Sequence, residues 1–189
     1  MSTWVGLKFF GALRVLVVAS GDVAATSVEI HFAPHEDLER IDVDVIDNAE
    51  RSIDMAAYVL SDPFVIEALR DAADRGVAIR IYLDKSQYSQ HGPRNGGPIG
   101  ELLAFPNVFA RVKGRGVLMH LKAYAVDGDR LRTGSGNFSH SGLELQDNDL
   151  ILVDDPETVA RFEHNFDAIW SRGTNVSATA AGPERGEPR

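Results

Sequence analysis

The chain of 189 residues contains no cysteine. That excludes disulfide bonds, thiolate nucleophiles and Cys-ligated zinc, and leaves the compartment open, because cysteine-free chains persist on either side of a membrane. Positive charge is scarce. The 19 Lys and Arg stand against 28 Asp and Glu, for a formal net charge of −9, which excludes general adhesion to nucleic acid through bulk charge. Aromatic residues make up only 8%, so platforms for stacking unpaired bases are few. No convincing internal repeat is present, and no apolar run reaches the length of a membrane span. The nearest approach is Phe9 to Ala19, preceded by Lys8, interrupted by Arg14 and followed by small residues around Val23-Ala24-Ala25. This pattern resembles a secretory signal, so residues 1–27 are read as a leader; the protein is then periplasmic or secreted, and otherwise cytoplasmic.

What is present suits one domain. A hydrophobic content of 44% is enough for a core. Charge is unevenly placed: between Arg80 and Lys122 seven basic residues face two acidic ones, a basic island in an acidic chain that points to an anionic substrate at one site. From Val28 the apolar pattern alternates between strand and helix periods. Strands are expected at Val28–Phe32, Ser52–Leu60, Val77–Leu83, Val108–Val112 and Leu150–Val153, with a hairpin from Val117–Val126 and Arg130–Thr133 turned at Asp127-Gly128-Asp129. Helices are expected after His35-Glu36-Asp37, after Asp62-Pro63 up to Gly76, over Ile99–Phe105, and after Asp155-Pro156 up to Trp170. Asp84 to Gly100 is rich in Gly and Pro and reads as a long functional loop, and residues 172–189 as a disordered tail. The fold class is α/β, a mixed sheet with helices on both faces, with the catalytic domain over residues 28–171.

Chemistry concentrates in one stretch. In an extended strand His120 and Lys122 point to one face and Leu121 to the other. Two polar groups on one side of an apolar strand need a reason, because burial without partners is costly. Gly134 and Gly136 leave the backbone bare for close approach of an anion, while Ser135 and Asn137 add donors. Together these residues describe a phosphate-sized pocket holding a group that titrates near neutral pH.

The joint spacing is more specific than any of its parts. His120-x-Lys122, four residues, Asp127, six residues, then Gly134-Ser135-x-Asn137 resembles in full the HKD signature of the phospholipase D superfamily. Phe32-Ala33-Pro34, Ala49 to Tyr58 and Arg75-Gly76-Val77 resemble the upstream part of its single-motif bacterial members, including their endonuclease branch. The resemblance covers roughly residues 28–171. It implies attack by a histidine on phosphorus, a phosphohistidine intermediate, and a second histidine as acid and then base. Lys122 and Asn137 would neutralise phosphate oxygens, Ser135 would orient the intermediate, and Asp147 would hold the His120 tautomer, with Asp149 the alternative for that role. Asp127 falls to structure at the hairpin end, and no metal or other cofactor is required.

One motif supplies one histidine, so the resemblance implies a homodimer whose sites meet at the two-fold axis. Arg94 and Arg115, with Arg111 and Lys113, are candidates for a nucleic-acid backbone. Val117-Leu118-Met119 reads as core rather than as a lipid-facing rim. The reading therefore favours a nuclease acting on DNA or RNA, with a phospholipase D acting on phospholipids as the alternative and a non-catalytic phosphate-binding module as the minor one. The remaining histidines show no ligand spacing, although His91 and His140 can line the pocket.

Overall fold

Helices begin where the sequence supplies an oxygen for the free amides of a first turn. In the computed structural model, which describes residues 26–180, Asp37 caps α1 (Leu38–Asp47) and Asp62 caps α2 (Pro63–Asp74). Asp84 caps α3 (Lys85–His91), a short α4 (Ile99–Leu102) follows without a side-chain cap, and Asp155 caps α5 (Pro156–Trp170). The β-branched and alternating segments form β1 (Val28–Phe32), β2 (Ser52–Ala57), β3 (Ala78–Leu83) and β4 (Val108–Val112). They are followed by β5 (Lys122–Val126), β6 (Arg130–Gly134), β7 (Asp149–Val153) and β8 (Val176–Ala178).

These strands make a single mixed sheet in the order β1-β7-β6-β5-β2-β3-β4-β8. Strands β2, β3 and β4 run parallel, and the other neighbours are antiparallel. One face carries Ile53, Met55, Ile79, Ile81, Tyr124 and Leu150 against α1, α2 and α4. The opposite face carries Ala56, Tyr82, Ala123, Ala125 and Leu131 against Val159, Phe166 and Ile169 of α5. Helices therefore cover both faces, as the sequence pattern predicts.

Three expectations are corrected. The stretch from Asp84 to Gly100 is not one long loop: it folds into α3, a 3-10 turn (Pro93–Asn95) and the start of α4, because Asp84 caps a helix whose start the Gly-Pro content further on obscures. The strand expected from Val117 begins only at Lys122, so His120 lies just outside the sheet. The tail is not wholly disordered, since β8 pairs antiparallel with β4 through Val112↔Val176 and Ala110↔Ala178. The leader reading falls on residues 1–27, of which 1–25 lie outside the described residues.

Two carboxylates tie the sheet together. Asp127 (φ 57°) sits at the β5–β6 turn and accepts from the amides of Glu50, Arg51 and Ser52 at 2.9, 2.7 and 2.8 Å, fixing the entry to β2. Burial would raise its pKa, but those three amides outweigh burial and hold it below the usual carboxylate value. Asp42 of α1 and Arg132 of β6 are both fully buried. Their pairing is bidentate, with Nε to Oδ1 and Nη2 to Oδ2 both at 2.8 Å, and the Tyr124 hydroxyl donates to Asp42 Oδ1 at 2.9 Å. Breaking such a pair leaves an uncompensated buried charge. Arg132→Met is expected to cost about 3–5 kcal/mol in chemical denaturation. Arg132→Met combined with Asp42→Leu should recover much of that loss, and a double variant no more stable than the single one contradicts this account.

Candidate functional site

The register gathers several strand ends at one edge of the sheet. The carboxyl ends of parallel β2, β3 and β4 lie there, which is where α/β sheets present ligand sites. The pairing Ala57↔Lys122 brings the start of β5 to the end of β2, and Gly134↔Leu150 adds the end of β6 and the start of β7. Tyr58 extends the ladder by one bond, its amide donating to the Leu121 carbonyl at 2.8 Å.

His120 is exposed, whereas Lys122 retains only 7% of its accessible surface. The Lys122 ammonium donates to the His120 carbonyl at 2.9 Å and stands 3.0 Å from Nδ1 and 3.1 Å from Nε2 of the ring. Burial lowers the pKa of Lys122. The Tyr58 ring offsets part of that burial, with the ammonium 4.9 Å from its centroid. The same ring packs 4.5 Å from the imidazole, tilted by 56°, and the Gln87 side-chain amide donates to its hydroxyl at 3.3 Å. Sequence reasoning missed Tyr58 and Gln87; a tyrosine closing an apolar strand was the available signal.

The segment leading to His120 is positioned by Asp84. This buried carboxylate accepts from the Met119 amide at 2.9 Å while capping α3 through Ser86 and Gln87. Burial would raise its pKa, but the Ser86 hydroxyl and the Met119, Gln87 and Ser86 amides outweigh burial and lower it.

Ser135, Asn137 and the glycines form the other half. Ser135 Oγ donates to Asp149 Oδ1 at 2.5 Å and accepts from the Asp149 amide at 2.9 Å. Gly134 (φ +149°) permits this closeness, since a Cβ there would collide with the Asp149 carbonyl. The expectation of bare amides is corrected here: the Ser135 and Gly136 amides both donate to the Asp149 carbonyl, at 3.2 and 3.3 Å. The glycines thus serve close packing of the loop onto β7. Asn137 Oδ1 is buried without a hydrogen-bond partner, so its amide presents an unsatisfied polar group. Arg132 joins the halves, Nη1 donating to the carbonyls of Lys122 at 3.1 Å and Gly136 at 3.4 Å.

Other expected residues fall further out. Among the described residues neither candidate for holding the His120 tautomer makes a hydrogen bond to it: Asp147 is exposed, and Asp149 is bonded to Ser135. Arg111 is engaged elsewhere, its guanidinium 4.7 Å from the Trp170 ring and donating to the Trp170 carbonyl at 2.7 Å. Arg115 lines a cleft of about 290 Å³ with Lys85, Lys113, Val117 and Leu118, and Arg94 lies exposed on the 3-10 turn. His91 lines a small apolar pocket with Tyr58 and Gln87, and His140 precedes the one-turn π-helix Ser141–Leu145. Val117 and Leu118 are not core: they are 84% and 54% exposed, and only Met119 is buried.

Residues 43–170 match the family model described as "Cardiolipin synthase, PLD-like domain". The chain is 28% identical over 155 residues to a phospholipase D of Rickettsia conorii, covering 82% of this chain and 75% of that protein. It is 27% identical over 139 residues to a mitochondrial cardiolipin hydrolase of Xenopus laevis, covering 72% and 63% respectively. Among solved structures, the fold is similar to Nuc, a phospholipase D family member from Salmonella typhimurium, with TM-score 0.72 at 22% identity over 82% of this chain and 99% of that one. It is also similar to NucT from Helicobacter pylori, with TM-score 0.73 at 21% identity over 81% and 99%. With its family match, its mixed sheet and the His120–Lys122 pair at the ends of β2 and β5, the chain belongs to the phospholipase D superfamily and is a phosphodiester hydrolase.

Proposed function

We propose that His120 is the nucleophile of this hydrolase, and the observation that carries the proposal is its contact with the buried Lys122 ammonium. An unprotonated His120 ring nitrogen attacks phosphorus once the Lys122 ammonium turns from the imidazole to the phosphate oxygens, forming a P–N bond as the P–O bond to the leaving group breaks. A second imidazole protonates that oxygen, then takes a proton from water as water displaces the enzyme nitrogen. Lys122 and Asn137 offset charge on the phosphate oxygens, and Ser135, held by Asp149, borders them. No metal has a role in this scheme. His120→Ala is expected to lower turnover by about 10³-fold or more while leaving the thermal midpoint nearly unchanged, because the side chain is exposed. Turnover close to that of the wild type would remove His120 from the chemistry.

The second imidazole is assigned to a second copy of the chain. Strand β1 supports this with an apolar stripe left exposed among the described residues: Val28, Ile30 and Phe32 are 63%, 52% and 54% exposed and lie opposite Val153, Ile151 and Asp149 of β7. Directly opposed antiparallel residues share a face, so the stripe lies on the α5 side, level with the carboxylate that holds Ser135. Mixing wild type with excess His120→Ala under conditions that exchange subunits should silence the wild-type chains, as mixed dimers hold one imidazole. Activity that sediments with the monomer is incompatible with this assignment.

For substrate, the site supports a phospholipid best. The resemblance to the endonuclease branch and the basic stretch favour a nuclease, but the reading of Val117-Leu118 as core, which counted against a lipid enzyme, does not hold: both are exposed in the segment leading to His120, as is Leu121 at 39%. Aliphatic side chains next to Lys85, Lys113 and Arg115 suit an anionic lipid surface. The nuclease reading stands second, supported by those same three cations, which can track a phosphate backbone. Val117→Ser with Leu118→Ser is expected to cut hydrolysis of anionic vesicles about tenfold and to spare a short soluble phosphodiester. Cleavage of plasmid DNA without cleavage of any phospholipid reverses the order of the two readings.

A further inference from the structure

Four carboxyl groups from three separate segments meet behind the 134–138 loop. Asp37 and Glu39 come from the start of α1, Asp62 from the cap of α2, and Glu144 from the π-helical turn Ser141–Leu145. Asp62 is fully buried and commits Oδ1 to its helix, accepting from the Phe64 and Val65 amides at 3.1 Å each. Its Oδ2 is buried with no hydrogen-bond partner, and so is Glu144 Oε1. Two orphaned carboxyl oxygens in one cluster require an explanation, because buried acceptors are otherwise satisfied.

The neighbouring bases do not answer for them. Arg40 of α1 pairs outward with Asp44 at 2.9 Å, and Arg132 is committed to Asp42. The side chains that act on them are other carboxyls, Glu39 beside Asp62 and Asp37 beside Glu144, with the Glu39 amide also facing Glu144. A carboxyl offers a donor only when protonated. One proton per pair therefore satisfies both orphans, Glu39 donating to the Asp62 oxygen left free by the cap and Glu144 pairing with Asp37.

We infer that the pairs Glu39–Asp62 and Glu144–Asp37 are a proton-operated latch that closes α1, α2 and the 141–145 turn behind Asn137 in mild acid and releases them as the pH rises. The link to the site is direct. The Phe138 carbonyl accepts from the Ser61 and Asp62 amides at 2.9 and 3.0 Å, so the residue after Asn137 is held by the α2 cap. Gly142 packs so tightly that a Cβ would stand 2.5 Å from the Asn137 carbonyl oxygen, and the Gly142 carbonyl accepts from the Asn148 side chain at 2.8 Å. Loosening the latch loosens the segment that carries Ser135 and Asn137.

The titration runs in the same sense. Burial, then repulsion from and hydrogen bonding with Asp62, raises Glu39 to about 7, and burial followed by contact with Asp37 raises Glu144. The charged groups facing the pairs are Arg40, Asp42 and Asp47 on α1, Glu67 and Asp71 on α2 and His140 before the turn. Because the folded-state pKa of Glu39 lies above its unfolded value of 4.5, its stabilising contribution is complete below that value and is lost as pH rises through about 7.

The test is amide hydrogen exchange over residues 138–146 of the full chain, corrected for the intrinsic pH dependence of exchange. Wild-type protection there should fall about tenfold for each pK unit by which the carboxyls are raised, between roughly pH 5 and roughly pH 8. The double variant Glu39→Gln, Glu144→Gln keeps a donor at every pH, so its protection should stay level over the same range. Wild-type protection that does not change with pH overturns the latch, as does an equal fall in the double variant. Carbon-13 titration of the wild-type side chains decides independently of any variant: a Glu39 midpoint near 7 supports the latch, and one at the ordinary 4.5 overturns it. Neither readout uses catalysis, so failure here leaves the assignment of His120 untouched.

Discussion

The paired charge of Asp42 and Arg132 is the constraint on which the site is built. Both side chains are fully buried, and the guanidinium leaves none of its directions idle. One edge meets the carboxylate, Nη1 meets the carbonyls of Lys122 and Gly136, and the plane rests 4.6 Å from the Phe138 ring. Two dehydrated charges are tolerable only with such complete pairing. The same completeness fixes the start of β5 against the loop after β6, so the two halves of the HKD motif, remote in sequence, keep one relative position. A lysine in place of Arg132 would lack the planar fork that this geometry uses.

Above that anchor the site sets a buried cation beside an exposed imidazole. Lys122 loses water on folding, and the Tyr58 ring and the His120 carbonyl replace part of it. Tyr58 touches both members of the pair, so one aromatic ring packs the imidazole and faces the ammonium. Asp84 holds the approach to His120 from the end of β3, using a carboxylate that also starts α3. One carboxylate thus serves both the local helix start and the approach to His120, and Val117, Leu118 and Leu121 of the same segment stand exposed.

Much of this was legible along the chain because the signals are local. Asp62-Pro63 and Asp155-Pro156 mark helix starts through an oxygen acceptor and a preset φ, and both helices begin there. The apolar runs at 78–83 and 108–112 became neighbouring parallel strands of the sheet. Expectations failed where overall composition masked a local cap, and where a long-range pairing overrode composition. The Gly-Pro content of 92–98 hid a helix that Asp84 starts upstream, and the polar tail gained a short strand because β4 offered an unpaired edge.

The spacing of His120, Lys122, Asp127, Gly134, Ser135 and Asn137 was decided by sequence alone, and with it the superfamily and the class of chemistry. Which carboxylate stands beside Ser135, whether the glycines bare their amides or press against β7, and whether Val117 and Leu118 are buried were decided only in three dimensions. The reason is physical. Residue type and spacing determine what a side chain can do and which way the local backbone turns, whereas partners and burial depend on segments that meet only once the sheet has closed around Arg132.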